Sequence, residues 1–120
     1  MIMLQRQPKY GGTIERIAIF DIFMGWRPGS RDLNDEGEPW TWVDEAGDIV
    51  HRICACCDRP GHYQEQLVAK MEVEGEFWDD DEPIILGDDG RVWEGHHRIL
   101  GGARLLWPDL PVERMSDQKP

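Results

Sequence analysis

The chain has 120 residues, with 24 acidic and 13 basic side chains and a net charge of −11. That balance argues against non-specific nucleic-acid binding, and no stretch approaches the roughly 18 apolar residues that span a bilayer. Three cysteines crowded between Cys54 and Cys57 make no disulfide framework, and MIMLQRQPKYGG lacks the apolar core of a signal peptide. One cytoplasmic domain with no membrane partner is expected, its core filled in part by six tryptophans.

Residues 1–12 read as a tail ending in the flexible pair Gly11-Gly12. Ile14, Ile17, Ile19, Phe20, Ile22 and Phe23 form a dense apolar run. It suits a strand around Ile17 and Ile19, and imperfect alternation keeps a helix open. Arg27 to Pro39 is a polar loop. Trp40 to Ile53 reads as a hairpin turning at Glu45-Ala46-Gly47-Asp48. Tyr63, Leu67, Val68 and Met71 then share one helical face, with Gly75 placed to stop the helix. From Glu72 to Asp89 the chain is acid-rich without Lys or Arg, and reads as a solvated face. Ser116 to Pro120 is a second tail.

The most informative stretch is Glu82 to Met115. Ile84-Ile85-Leu86 is a short buried strand, Gly87-Asp88-Asp89-Gly90 a tight turn, and Arg91-Val92-Trp93 the return strand. Glu94-Gly95-His96-His97-Arg98 is a polar break. Ile99, Leu100, Ala103, Leu106 and Trp107 follow at helical spacing, Trp107-Pro108 ends the helix, and Val112 to Met115 is a last strand after Pro111. A glycine before a polar helix start exposes backbone N–H groups, the helix dipole adds to them, and Arg98 supplies a guanidinium. Without a Cβ on Gly95, a phosphate can approach the main chain.

This succession of helix, Pro83-Ile84-Ile85-Leu86, Asp-Asp-Gly turn, short strand, Gly95-His96-His97-Arg98, helix and Pro-Val strand resembles the ParB/sulfiredoxin superfamily. More narrowly it resembles the small stand-alone ParB-like nuclease-domain proteins with a GHHR core, frequent in actinobacterial phages. The resemblance covers residues 63–115 well and 14–28 more weakly, and residues 40–62 look like an insertion. It implies an α+β fold with a small mixed sheet and a nucleotide site at this helix start. It implies no single function, because members include CTP-binding partition proteins, sulfiredoxins, a free-serine kinase and reported nucleases. Partition proteins have two arginines after an acid and a downstream helix-turn-helix domain, whereas here His96 and His97 precede Arg98 and the sequence stops at Pro120. Sulfiredoxins place a cysteine where His96 stands. The His-His-Arg pattern is closest to the serine-kinase-like and phage branches, in which Asp usually holds the place of Glu94.

On this reading Gly95, His96, His97 and Arg98 bind phosphate, with His97 able to position or neutralise it. Glu94 is the candidate general base or Mg²⁺ ligand, and ATP or CTP with Mg²⁺ the candidate ligand. Asp88 and Asp89 read first as turn residues. Glu15 or Asp21 could supply the further acid of a kinase-like site. His51, Cys54, Cys56, Cys57 and His62 are dense enough to suggest Zn²⁺. As a Cys-x-Cys-Cys run with no second CxxC they do not read as a standard knuckle, so buried thiols and surface histidines are expected instead of zinc. Trp26 and Trp40, flanking the polar loop, are the aromatics most suited to stack a base or anchor a protein. The leading function is nucleotide binding with an ATP-dependent phosphotransferase or nucleotidase activity. The alternatives are a metal-dependent nuclease or DNA-binding protein using Arg91, Arg98 and Arg104, and a non-catalytic phage protein that binds a host protein.

Overall fold

The computed structural model describes residues 8–55, 57–75 and 83–115. Cys56, Phe77, Trp78, most of the acidic run and the tail from 116 lie outside the described residues. Chain order is β1 (Thr13–Ala18), α1 (Ile19–Gly25), β2 (Arg27–Pro28), α2 (Trp42–Ile49), α3 (His62–Glu74), β3 (Ile84–Leu86), β4 (Arg91–Glu94), α4 (His96–Arg104) and β5 (Asp109–Arg114). The strands form one mixed sheet in the order β1-β5-β3-β4-β2. The pairs β1–β5 and β3–β4 are antiparallel, while β5–β3 and β4–β2 are parallel. The fold is α+β, and no helix among the described residues is long and apolar enough to cross a membrane.

β3 lies at the centre of the sheet, and its Ile-Ile-Leu run is buried at every position, as a strand covered on both faces requires. Gly90, at φ +80°, closes the β3–β4 turn, and Asp89 Oδ1 accepts the Arg91 N–H at 3.1 Å. Pro111 interrupts β5 without harm, because β3 pairs with β5 only from Val112 onward. The main core gathers Ile17, Ile19, Ile22, Leu86, Val92, Ile99, Leu110 and Val112 around Ile84. α3 crosses close to α4 at Gly101, where a Cβ would meet Met71 Sδ at 2.9 Å.

Several expectations change in three dimensions. The apolar run at 14–23 divides into a strand and a helix at Ala18/Ile19, where the Ile19 N–H donates to Pro108 O at 3.0 Å. The hairpin expected over 40–53 is instead α2, with Glu45 to Asp48 inside the helix. A capping box starts it: Thr41 Oγ1 accepts from the Asp44 N–H, and Asp44 accepts from the Thr41 N–H. α3 buries Gln64, Val68 and Met71, whereas Tyr63 is exposed. α4 stops at Arg104, before Trp107-Pro108, because Leu106 turns left-handed (φ +62°) and the Trp107 N–H returns to Gly102 O. Leu106 is consequently exposed.

Residues 9–12, within the expected tail, are held by a fully buried acid on β5. The Glu113 carboxylate accepts backbone N–H bonds from Lys9, from Tyr10 at 2.8 Å and from Gly12 at 2.8 Å. A buried carboxylate needs such donors, and three amides of this short segment supply them.

Candidate functional site

The polar break follows β4 and starts α4. Gly95 has φ +106°, in the region that favours glycine, and no side chain caps the helix. Its missing Cβ is explained inside the chain, because a Cβ would lie 2.8 Å from Ile84 Cγ1. The expectation that this space admits a ligand is therefore corrected at that atom.

The two histidines are anchored, and by different elements. His96 Nε2 accepts the Gly29 N–H at 2.9 Å, and the same ring hydrogen-bonds the Val92 backbone. It is half-buried, with the Trp42 ring 6.2 Å away between centroids. His97 Nε2 lies 3.1 Å from Arg52 Nη1, and its Nδ1 lies 2.7 Å from Gln64 Oε1. A guanidinium only donates, so Nε2 is the acceptor and Nδ1–H donates to Gln64. The Gln64 amide completes the ring by donating to His97 O at 2.9 Å. Tyr63 meets the imidazole edge-on at 4.9 Å.

Behind His97 lies a charged network from the segment that looked like an insertion. Glu45 is fully buried and accepts from Ser30 Oγ, from Trp40 Nε1 at 2.7 Å and from Arg52 Nη2 at 3.0 Å. Arg52 also pairs with Asp48 at 2.6 Å. Burial pushes the Glu45 carboxyl up, but the hydrogen bonds from Ser30 and Trp40 and the Arg52 charge outweigh it and hold the carboxyl below its usual value. Burial likewise weakens the Arg52 charge, and bonding to Asp48 and Glu45 more than restores it. Sequence reasoning missed Glu45, Arg52, Gln64 and Ser30. Thr41-x-x-Asp44 was the legible sign of α2, and it would have put Glu45 and Asp48 along one helical side, facing Arg52 just past its end.

Burial holds both imidazoles below the ordinary value of 6.5, with the Arg52 charge acting in the same direction on each and Glu45 opposing it. Both rings thus bind a proton less readily folded than unfolded. Their stabilising contribution is complete above about pH 6.5 and is lost as pH falls from there toward the lowered folded values. Thermal unfolding followed against pH should show a fall in Tm below that point, and His97→Asn should reduce it while His96 keeps its share. An identical pH profile in the variant would rule out the His97 imidazole as a source.

The remaining candidates are dispersed. Arg98 Nη2 donates to Pro83 O at 3.2 Å, at the entrance to β3. Glu94 Oε2 is shielded from solvent without a hydrogen bond among the described residues, and Lys9 Nζ stands 3.5 Å from it. Asp89 serves the turn, accepting also from Trp93 Nε1 at 3.1 Å. Glu15 is on β1, with β5 and β3 between it and β4, beside Arg114 at 3.7 Å, and Asp21 is exposed on α1. Neither is placed at the start of α4. Arg91 is ion-paired with Asp32, and Arg104 sits in the last turn of α4, so neither joins Arg98 in the contacts described.

Trp26 and Trp40 line one cavity of about 350 Å³ together with Phe23 and Trp42. Their indole N–H groups are used internally, by Gly87 O for Trp26 and Glu45 for Trp40, and Trp40 is buried. Cys54, Cys57 and His62 bring their ligand atoms within 4.8 Å of one another, while Cys56 lies outside the described residues and His51 is exposed. Measured from its outer members, the cysteine run does contain a two-residue gap.

Comparison of the chain with models of known families, with curated proteins and with solved structures finds no match to any of them.

Proposed function

We propose that the protein is a phosphate-binding domain of the ParB/sulfiredoxin type that takes a nucleotide's phosphates on the first turn of α4, from Gly95 to Arg98. The observation that carries this reading is the uncapped start of α4 on a left-handed glycine. Gly95 brings no capping side chain of its own, and helix starts of that kind favour anions. Arg98 adds a guanidinium one turn in. The strand–turn–strand–glycine–helix order of β3, β4 and α4 has the succession on which the resemblance rests.

In this reading His96 and His97 position the loop and leave proton transfer to another group. Each ring already uses both nitrogens in bonds within the chain. Glu94, next to Gly95, is the candidate ligand for Mg²⁺ accompanying ATP or CTP, since its shielded oxygen suits a hard cation. A phosphotransferase or nucleotidase activity is the chemistry to test once binding is found.

Calorimetry with ATP, CTP and GTP in Mg²⁺ is the direct test. Micromolar binding of at least one nucleotide is expected, weakened roughly tenfold or more in Arg98→Ala by loss of a charge-assisted contact. No binding by any of the three would overturn the proposal. DNA cleavage with metal and pull-downs from a host lysate would then be the assays for the nuclease and interaction readings.

A further inference from the structure

We propose that Cys54, Cys57 and His62 hold a zinc ion that clips the connection between α2 and α3. The connection is poorly secured by apolar burial. Val50 and Ile53 are 55% and 61% exposed, and only Cys54 and Gly61 are buried among its described residues. Its path is nevertheless demanding. Asp58 adopts φ +60° and Gly61 φ +72°, and a Cβ on Gly61 would lie 2.8 Å from Val50 O. The Cys54 N–H donates to Arg59 O at 3.1 Å and the Gly61 N–H to Arg52 O at 2.8 Å, folding the segment back on itself.

That fold assembles a donor set. Cys57 and Asp58 both direct their N–H groups to Cys54 O, at 3.4 and 2.8 Å, so the Cys54-x-x-Cys57 turn curls its two thiols to one side. His62, the first residue of α3, returns over them, with Nδ1 2.8 Å from Cys57 Sγ. In a tetrahedral zinc site, with Zn–S about 2.3 Å and Zn–N about 2.0–2.1 Å, sulfur and nitrogen ligands stand about 3.5 Å apart. Separating Cys57 and His62 by under about 1 Å reaches that geometry. Two thiolates and an imidazole favour zinc over the oxygen-seeking Mg²⁺ and Ca²⁺. The fourth tetrahedral position falls to solvent.

The ion has a task beyond the loop. Arg52 lies two positions before Cys54 and joins Glu45, Asp48 and His97. Fixing Cys54 therefore fixes the guanidinium that braces the start of α4. This proposal does not rest on nucleotide binding there.

The test is metal content and cobalt spectroscopy on the full chain. Protein purified without chelator should carry one zinc per chain by mass spectrometry of the metal. Metal-free protein titrated with Co²⁺ should develop thiolate-to-cobalt charge transfer and the strong visible bands of tetrahedral cobalt, both abolished by zinc. Cys57→Ser and His62→Ala should each lose stoichiometric binding, and His51→Ala should retain it. Because Cys57 is exposed, its variant is expected to stay folded, which circular dichroism checks. Chelation should lower Tm in the wild type and leave it unchanged in Cys57→Ser. Absence of stoichiometric zinc together with absence of the cobalt charge-transfer band would overturn the proposal. So would equal zinc content in wild type, Cys57→Ser and His62→Ala.

Discussion

Replacing Glu45 with alanine should destabilise the protein by about 3 kcal/mol, read as a lower urea midpoint at unchanged slope. The carboxylate is fully buried, and its loss strips an acceptor from Trp40 Nε1, Ser30 Oγ and Arg52 Nη2 together. Removing one partner of a fully buried ion pair costs about 3–5 kcal/mol, and the lower end applies because the Arg52 side chain is 33% exposed and keeps Asp48. Glu45→Gln should cost less, since an amide oxygen still accepts from the indole. The double variant Glu45→Ala/Arg52→Ala should fall short of the sum of the single effects, because each single change strands the other partner. Strict additivity would show that the two side chains do not cooperate. A consequence at the proposed ligand site follows, because Arg52 also holds His97 Nε2, so Glu45→Ala should weaken nucleotide binding more than an exposed substitution of equal stability cost.

Gly95→Ala should also cost about 3 kcal/mol, from two sources that a control separates. At φ +106° the backbone disfavours any L side chain, a penalty of about 1–3 kcal/mol. The new Cβ would in addition press on Ile84 at 2.8–3.1 Å, and overpacking of that kind costs about 1–3 kcal/mol. Gly90→Ala is the control: φ is +80° there too, but a Cβ would meet nothing within 4 Å. Its cost should be the backbone part alone, about 1 kcal/mol. Urea unfolding of both variants gives the comparison, and in an Ile84→Ala background, which lacks the two crowding Cγ atoms, Gly95→Ala should cost less. Equal costs at the two glycines would show that Ile84 yields freely and that only the backbone matters.

The unit from β3 through α4 was legible because its signals are local. An Asp-Gly turn, three apolar residues before it and a glycine ahead of a helical pattern each act within a few positions of the chain. α2 was hidden for a physical reason. Its buried side presents Glu45 beside Ile49, so the hydrophobic periodicity that marks a helix is replaced by a carboxylate, and Gly47 completes the appearance of a turn. The end of α4 was misplaced because Leu106, an apolar residue at helical spacing, occupies the left-handed position usually given to glycine. The two-residue spacing from Cys54 to Cys57 was obscured by Cys56 between them.

From sequence alone came the two short strands and tight turn of β3 and β4, the glycine-led start of α4 and the residues from Glu94 to Arg98 as a candidate site, while the α+β class was what the family resemblance implied. The local features rest on steric and hydrogen-bonding preferences that each residue expresses with its near neighbours. Only the tertiary structure decided what surrounds that place. It set Arg52 against His97 across 45 positions of chain and Gln64 across 33, brought Gly29 to His96, and turned His62 back onto Cys54 and Cys57. Such contacts depend on how the elements pack on the sheet, where burial makes each polar group find a partner wherever the chain has placed one.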